Sequence, residues 1–341
     1  MSEKRWVQRP EGSTWGDFGP DDQLGRLNLV DANKVRQGIA EVREGRTFCL
    51  SLPLDYPGGN VLNPRRHPPR VRPTMLDHAP RWMFEVGEDF PDATDVINDD
   101  AALLHLQYST QWDSFAHAGS MFDANGDGKP EPVFYNGFRG GIELPRATEE
   151  KDGWRSAVKR LGIEQFAVHG IQGRAVLVDL HAHFGDERIA VGYDQLMQIM
   201  EQDKVSVESG DILVLHTGFS TRLLAWEKKP DPDQIHKICP VLDGRDQRLL
   251  QWITDSGIAA ICADNYAVED ATAGKPAGPC ALLPLHEHCL FKLGVPLGEI
   301  WFISDLAKYL RAQQRSRFLL TAPPLRLPGA VGSPTSPIAT V

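Results

Sequence analysis

The chain has 341 residues, 41% of them hydrophobic and 24% charged, enough to bury a sizeable core as one large domain, with two small domains as the alternative. A formal net charge of -10 and a pI near 5.6 argue against a nucleic-acid partner, which needs a basic face. Five cysteines without C-x-x-C spacing, no signal-like start and no apolar run near the roughly 18 residues of a membrane span exclude a disulfide framework, a thiolate zinc site and a membrane partner, so a cytoplasmic protein is expected.

In chain order, Asp31 is an N-cap for a helix that reaches about Arg43 and stops at Gly45, with Val35, Ile39 and Val42 on its apolar side. Residues 53–91 are rich in Pro, Gly and Arg and read as a long irregular excursion, of the kind that serves as a lid or an oligomer arm. The basic run Arg65-Arg66-His67-Pro68-Pro69-Arg70-Val71-Arg72 is short and proline-rich, a solvated loop rather than a binding helix. Residues 1–90 are therefore expected to form a helix and irregular arm packed on a main domain of residues 91–341.

If residues 103 to 113 are extended, His105, Gln107, Ser109, Gln111 and Asp113 share one face, with Tyr108, Thr110 and Trp112 opposite. A core-facing side with so many polar groups is unstable unless they are satisfied by each other, by water or by an ion, which calls for a site. The alternative is an edge strand with a solvated polar face. Further on, Asp123-Ala124-Asn125-Gly126-Asp127-Gly128 matches the opening of a calcium loop, but Phe134 stands where the twelfth-position Glu is required. A tight Asx-rich turn is the preferred reading, a weak calcium site the alternative.

Beyond residue 150 helices and strands alternate. Helices near 148–161, 193–202 and 245–255, the last closed by Gly257, precede strands at 175–180, 212–216 and 258–263. This is the pattern of an α/β sheet, whose ligands gather beyond the carboxyl ends of the strands. Those ends carry Asp179 with His181, then His216, then Asp264. A helix over Leu282 to Leu293 follows, with His286 inside its apolar stripe and His288 about 200° away around the axis, so that the two cannot share one ligand. A lone His on an apolar face is commonly a satisfied core residue. Glu299 leads the apolar run Ile300-Trp301-Phe302-Ile303 and is either exposed at its start or buried with a purpose.

The segment Gln107 to His117 resembles the motif H-x-G-T-H-x-D-x-P-x-H of the cyclase family of metal-dependent hydrolases, the group of kynurenine formamidase and isatin hydrolase. In register, Gln107 and Gln111 stand on the first two His positions, Thr110 on the Thr, Asp113 on the Asp and His117 on the last His. The form T-Q-W-D-x-x-x-H, followed by Tyr135-Asn136-Gly137, is similar to a divergent branch of that family. The similarity continues through Gly173–Asp179, Gly210–Gly218 and His286–Glu299, and Gly329–Val341 is similar to the closing loop and last strand, so the tail should be ordered.

The resemblance implies an α/β, cyclase-like swivelling β/β/α fold with a mixed central sheet. It implies a divalent metal anchored by Asp113, with Gln107, Gln111, His117 and His286 as possible partners, His286 being preferred to His288 for its distance from Gly294 and Glu299. An amide oxygen is a weaker and harder ligand than imidazole and leans toward manganese, magnesium or calcium, with zinc still open; manganese or zinc is the expected ion, magnesium or calcium the alternative. His117 or Glu299 is the proton carrier. Trp112, His216 and Asp264 are candidate substrate contacts, although Trp112 can equally pack in the core. The expected reaction is hydrolysis of a carbon–nitrogen bond in a small cyclic or aryl amide. A lactone hydrolase or cyclase-type lyase is one alternative, a catalytically silent small-molecule-binding or assembly protein the other. The arm suggests a homo-oligomer, a dimer or tetramer.

Overall fold

A computed structural model describes residues 4–151 and 153–341. Among them a mixed sheet is built from nine strands: β1 (Thr47–Cys49), β2 (Gln111–Asp113), β3 (Gln172–Asp179), β4 (Ile212–His216), β5 (Ala260–Ala263), β6 (Leu297–Glu299), β7 (Arg317–Thr321), β8 (Gly332–Pro334) and β9 (Ile338–Thr340). Their spatial order is β1-β9-β7-β3-β4-β5-β6-β2-β8. Strands β3 to β6 are parallel, while β7, β9 and β1 on one side and β2 and β8 on the other run antiparallel to their neighbours. Strands β4 and β5 are apolar runs buried along their whole length, as a sheet covered on both faces requires. The α/β class and the mixed sheet are as expected, and the tail is ordered within that sheet.

The longer helices are α1 (Ala32–Ala40), α2 (Tyr193–Gln202), α3 (Phe219–Ala225), α4 (Gln247–Ser256), α5, which starts as Pro284–His286 and widens into a π-helical stretch over Glu287–Leu293, and α6 (Ser304–Ala312). Helices α2 and α4 lie where the periodicity predicts. Asp246 caps α4 by accepting from the N–H groups of Arg248 and Leu249, and Gly257 ends it at φ 67°.

Three expectations need correction. Asp31 does cap α1, but the buried face is Lys34 and Gly38, and Ile39 is 55% exposed. Lys34 reaches inward to Asp211 at 2.9 Å, and Gly38 sits so close to β3 that a Cβ there would lie 2.9 Å from the Arg174 nitrogen, so a charge pair and a close approach override the apolar stripe. The described residues of 148–161 form no helix: Thr148–Glu150 and Gly153–Arg155 pair as an exposed hairpin, with Gly153 at φ 120°, and a helix comes only at Glu164–His169. The strand expected over 103–113 is confined to Gln111–Asp113. Before it the chain turns, Tyr108 N–H bonding the His105 carbonyl at 3.0 Å, and this places His105 against the His67 carbonyl, away from Asp113.

The irregular excursion is a ribbon of three short antiparallel pairs, Arg70–Pro73 with Asp100–Leu103 at its base and, within the segment these enclose, Met75–Leu76 with Ala79–Pro80 and Phe84–Glu85 with Val96–Ile97. It therefore runs past residue 91 to 103. The segment before it is part of the main body: β1 joins the central sheet, and Trp6, Trp15 and Leu50 sit in the same core as Trp112 and Trp301. Among the described residues no helix is long and apolar enough to cross a membrane, and all five cysteines are free thiols.

One buried ion cluster ties α1 to the sheet. The Asp211 carboxylate, fully buried, accepts from Lys34 Nζ at 2.9 Å, from Arg174 Nε and Nη2 at 2.8 and 2.9 Å, and from the Glu208 N–H at 2.8 Å. Replacing Asp211 by Ala strands Lys34 in the interior and leaves Arg174 with Glu208 alone. The variant should lose about 3–5 kcal/mol of stability in urea unfolding, whereas removing an exposed pair such as Arg248–Asp194 should leave the urea midpoint almost unchanged.

Candidate functional site

Antiparallel pairing of β2 with β6 sets Gln111 opposite Glu299 and Asp113 opposite Leu297. The two-residue repeat then brings Gln111, Asp113 and Glu299 to one face and turns Trp112 to the other. Trp112 is fully buried there, edge-on to Trp301 at 5.1 Å, with its Nε1 donating to the Ala322 carbonyl at 2.8 Å. It packs the core and does not line the site.

Helix α5 supplies His286, and Glu269 holds it. The Glu269 carboxylate accepts from the backbone N–H of Leu285 at 3.0 Å and of His286 at 2.9 Å, and from His286 Nδ1–H at 2.8 Å. Because Nδ1 is the donor, Nε2 is the nitrogen turned inward, 3.2 Å from Glu299 Oε1 and 4.0 Å from Asp113 Oδ2. Glu269 fits only because residue 244 is glycine: a Cβ there would lie 2.0 Å from its Oε2.

The two glutamines close the cluster. Gln111 Nε2 donates to Glu299 Oε2 at 3.2 Å and more weakly to Asp113 Oδ1 at 3.4 Å. Gln107 Nε2 donates to Asp113 Oδ1 and lies 3.0 Å from His117 Nδ1, which makes that nitrogen the acceptor and Nε2 the proton-bearing one. His117 Nε2 is 3.9 Å from Asp113 Oδ2, and its side chain is 26% exposed, whereas Asp113, His286 and Glu299 are buried. Burial raises the Asp113 carboxyl above its usual range, helped by Glu299 and opposed by His117 and His286. Burial would also raise Glu299, but the hydrogen bond and charge of His286 hold it below the usual value. Burial lowers the His286 pKa, yet its bonds to Glu269 and Glu299 override this and push it up to about 10.

The donor atoms of Asp113, His286 and Glu299 lie within 4.8 Å of one another. Asp113 Oδ2 and Gln111 Oε1 are buried without a hydrogen-bond partner among the described residues. Each unpaired acceptor costs on the order of 1–3 kcal/mol, more for a charged one, and a cation satisfies both. The residues therefore fit a divalent ion, with a set of two carboxylates, one imidazole and one amide oxygen that is rich in hard donors. A narrow pocket with space for about one water approaches from the Gln107 side, lined by Arg66, Tyr108, Tyr266 and Ile300 among others. Arg66 fixes that side through a 2.5 Å bond to the Gln107 carbonyl.

Gln107, Gln111, Asp113, His117, His286 and Glu299 thus come together, and His288 does not join them, bonding Thr254 Oγ1 at 2.9 Å. Asp264 stands apart, its carboxylate capping the turn after β4 through Thr217, Gly218 and Ser220. His216 is also elsewhere, with Asp179 and Ser304. Asp123 accepts from the N–H groups of Gly126, Asp127 and Gly128 at 2.8–3.1 Å, the geometry of an Asx turn. Glu269 is the residue that sequence reasoning missed. Ala267 and Val268 precede it at φ 69° and 58°, and no pattern of residue types announces that inward turn.

The family model "Putative cyclase" matches residues 50–270. A comparison with curated proteins finds no match. Among solved structures, the chain is similar to a crystal structure described as a novel cyclase, at 29% identity and a TM-score of 0.73, covering 96% of this chain and 97% of that one. It is similar in fold to isatin hydrolase A from Labrenzia aggregata bound to benzyl benzoate, at 16% identity, TM-score 0.53 and coverage of 91% and 98%. Isatin hydrolase A from Ralstonia solanacearum is comparable, at 15% identity, TM-score 0.54 and coverage of 86% and 91%.

Near the same rim, Asp179 accepts from His216 Nδ1 at 2.7 Å and from Arg311 Nε at 3.0 Å. Burial raises its pKa, but these partners outweigh it and bring the value down to about 2. A depressed carboxyl stabilises the fold above its unfolded pKa, so this contribution is complete above about pH 4 and is lost as the pH falls toward 2. It amounts to about 2 kcal/mol. Urea unfolding of wild type and Asp179→Asn between pH 5 and 2.5 should show the gap between them closing as the pH falls.

Proposed function

The chain belongs to the cyclase family, and on that premise we propose that it is a metal-dependent hydrolase that opens a small cyclic or aryl amide. The observation that carries this reading is the buried cluster of Asp113, His286 and Glu299 with two orphaned acceptor oxygens beside it. Asp113 Oδ2, Glu299 and His286 Nε2 would hold the ion, with Gln111 Oε1 as a further donor. When bound, the ion polarises the substrate carbonyl and acidifies water. Glu269 holds the His286 ring through Nδ1–H and so keeps Nε2 turned toward the cluster. Glu299 is committed to His286 and Gln111, so the proton carrier is His117, which is partly exposed and bears its proton on Nε2. As the carbon–nitrogen bond breaks, the Nε2 proton passes to the departing nitrogen and the proton shed by the attacking water takes its place, so the ring ends neutral. The choice of a cyclic or aryl amide is supported by the likeness in fold to the isatin hydrolases. Lactone opening uses the same polarised carbonyl and is the second chemistry to screen.

Metal analysis by inductively coupled plasma mass spectrometry tests the reading. Wild type should carry stoichiometric manganese or zinc, and Asp113→Ala and His286→Ala should lose it. His117→Ala should keep the metal and lose about 10²–10⁴-fold in kcat on the amide or lactone that a screen identifies. A wild type that stays metal-free after incubation with manganese and zinc would sink the proposal and leave a small-molecule-binding role.

The hairpin ribbon supports a second proposal, that two or more copies of this chain associate. Val71, Trp82, Met83 and Phe90 are 64%, 51%, 63% and 65% exposed, an apolar density that monomers rarely leave in water. The ribbon leaves the body between His67 and His105, next to Gln107, so a second copy seated on it would also flank the pocket. Light scattering should give a dimer or larger assembly, and Trp82→Asp with Phe90→Asp should shift it toward monomer.

A further inference from the structure

We propose that Ser304, His216 and Asp179 form a second reactive centre, in which Ser304 is a nucleophile that accepts the acyl group of small activated esters. Strands β3 and β4 are parallel and in a register that pairs Asp179 with His216 at their carboxyl ends. The Asp179 carboxylate accepts from His216 Nδ1–H at 2.7 Å, and His216 Nε2 lies 3.0 Å from Ser304 Oγ. With its proton held on Nδ1, the neutral ring presents a bare Nε2 to the serine hydroxyl, the arrangement that general-base activation of a serine requires. Thr221 Oγ1 lies 2.6 Å from Ser304 Oγ and shares a hydrogen bond with it, a second contact that holds the hydroxyl beside His216.

Burial is divided as such a centre needs. Asp179 and His216 are 8% and 6% exposed, which keeps the base dry and its orientation fixed, while Ser304 is only partly buried and Thr221 is open to solvent. Ser304 is also the first residue of α6, a helix without a side-chain cap, so the free N–H groups of its first turn lie in the same turn as the hydroxyl and can meet negative charge. None of the three residues bonds to Asp113, His286 or Glu299, and β5 stands between β4 and β6, so this centre is distinct from the metal cluster. In the acyl step the Ser304 Oγ–carbon bond forms and the bond to the leaving alkoxide or phenoxide breaks. The serine proton passes to His216 Nε2 and from there to the leaving oxygen. Asp179, fixed on its other oxygen by Arg311, is the positioning residue.

The test is labelling of the purified full chain with an alkyl fluorophosphonate, followed by peptide mass mapping. In that reaction the Ser304 oxygen–phosphorus bond forms, fluoride leaves and the serine proton is released through His216. One adduct should appear on Ser304, be absent in Ser304→Ala, and form about 10²-fold more slowly or worse in His216→Gln. Should His216→Gln not fold, Asp179→Asn reads the same activation through the ring's tautomer. Asp113→Ala should label at the wild-type rate, which separates this centre from the hydrolase reading, and Ser304→Ala should keep the wild-type metal content. No adduct on Ser304 at excess probe, or an equal rate with the base removed, would overturn the proposal.

Discussion

Three carboxylates, Asp113, Glu269 and Glu299, converge on one imidazole in the interior, and each of the four groups is at most 3% exposed. Even a protonated His286 leaves this cluster anionic, and holding uncompensated charge out of water costs several kcal/mol per ion. The chain answers with neutral donors: two glutamine amides, and two backbone N–H groups at the start of α5. It stops short of full satisfaction at Asp113 Oδ2. The scaffold is stiffest around that point. Strand β2 is clamped between β6 and β8, Trp112 and Trp301 pack edge to face beneath it, and Gly244 and Gly332 leave room that any side chain would fill. A site that repels itself must be held from outside.

The Asp211 cluster shows what a purely structural buried charge looks like. Its carboxylate meets two cations and a backbone N–H, and both its oxygens are engaged. Two equally buried aspartates therefore differ in one respect, the balance of partners. Asp211 is over-supplied and anchors α1 to the sheet. Asp113 is under-supplied, and an unmet acceptor in a rigid frame is what distinguishes a place for a ligand from a place for stability.

What the sequence made legible follows from how local each feature is. The alternation of helices and strands, the cap at Asp31, the stop at Gly257 and the strand at 212–216 depend on nearby residues, and they stand where expected. The link between Gln107 and Asp113 was legible too, although the chain bends between them. Features that need a distant partner were not. Lys34 is buried because of Asp211, 177 positions away, and Glu269 reaches His286 through two left-handed residues. The hairpin at 148–155 is set by a glycine at positive φ that a helical pattern tolerates on paper. His216 was correctly placed at a strand end, but its neighbours there are set by how α6 crosses the sheet.

That crossing explains how one rim carries two polar centres. Helix α6 leaves β6 and must reach β7, which lies beyond β5, β4 and β3 in the sheet. Its first residue therefore passes the carboxyl ends of β4 and β3, where parallel registry has set His216 beside Asp179. The metal cluster arises at the other end of the same connection, where antiparallel β2 brings Gln111 and Asp113 against Glu299. Only Ile300 to Ile303 separate Glu299 from Ser304, and Ile300, at φ 56°, is tied through its carbonyl to Thr110 at 2.6 Å. This short buried link makes the positions of the two centres interdependent. A change that relaxes Ile300 moves the ligand carboxylate and the serine together, whereas a change within either cluster alone leaves the other in place.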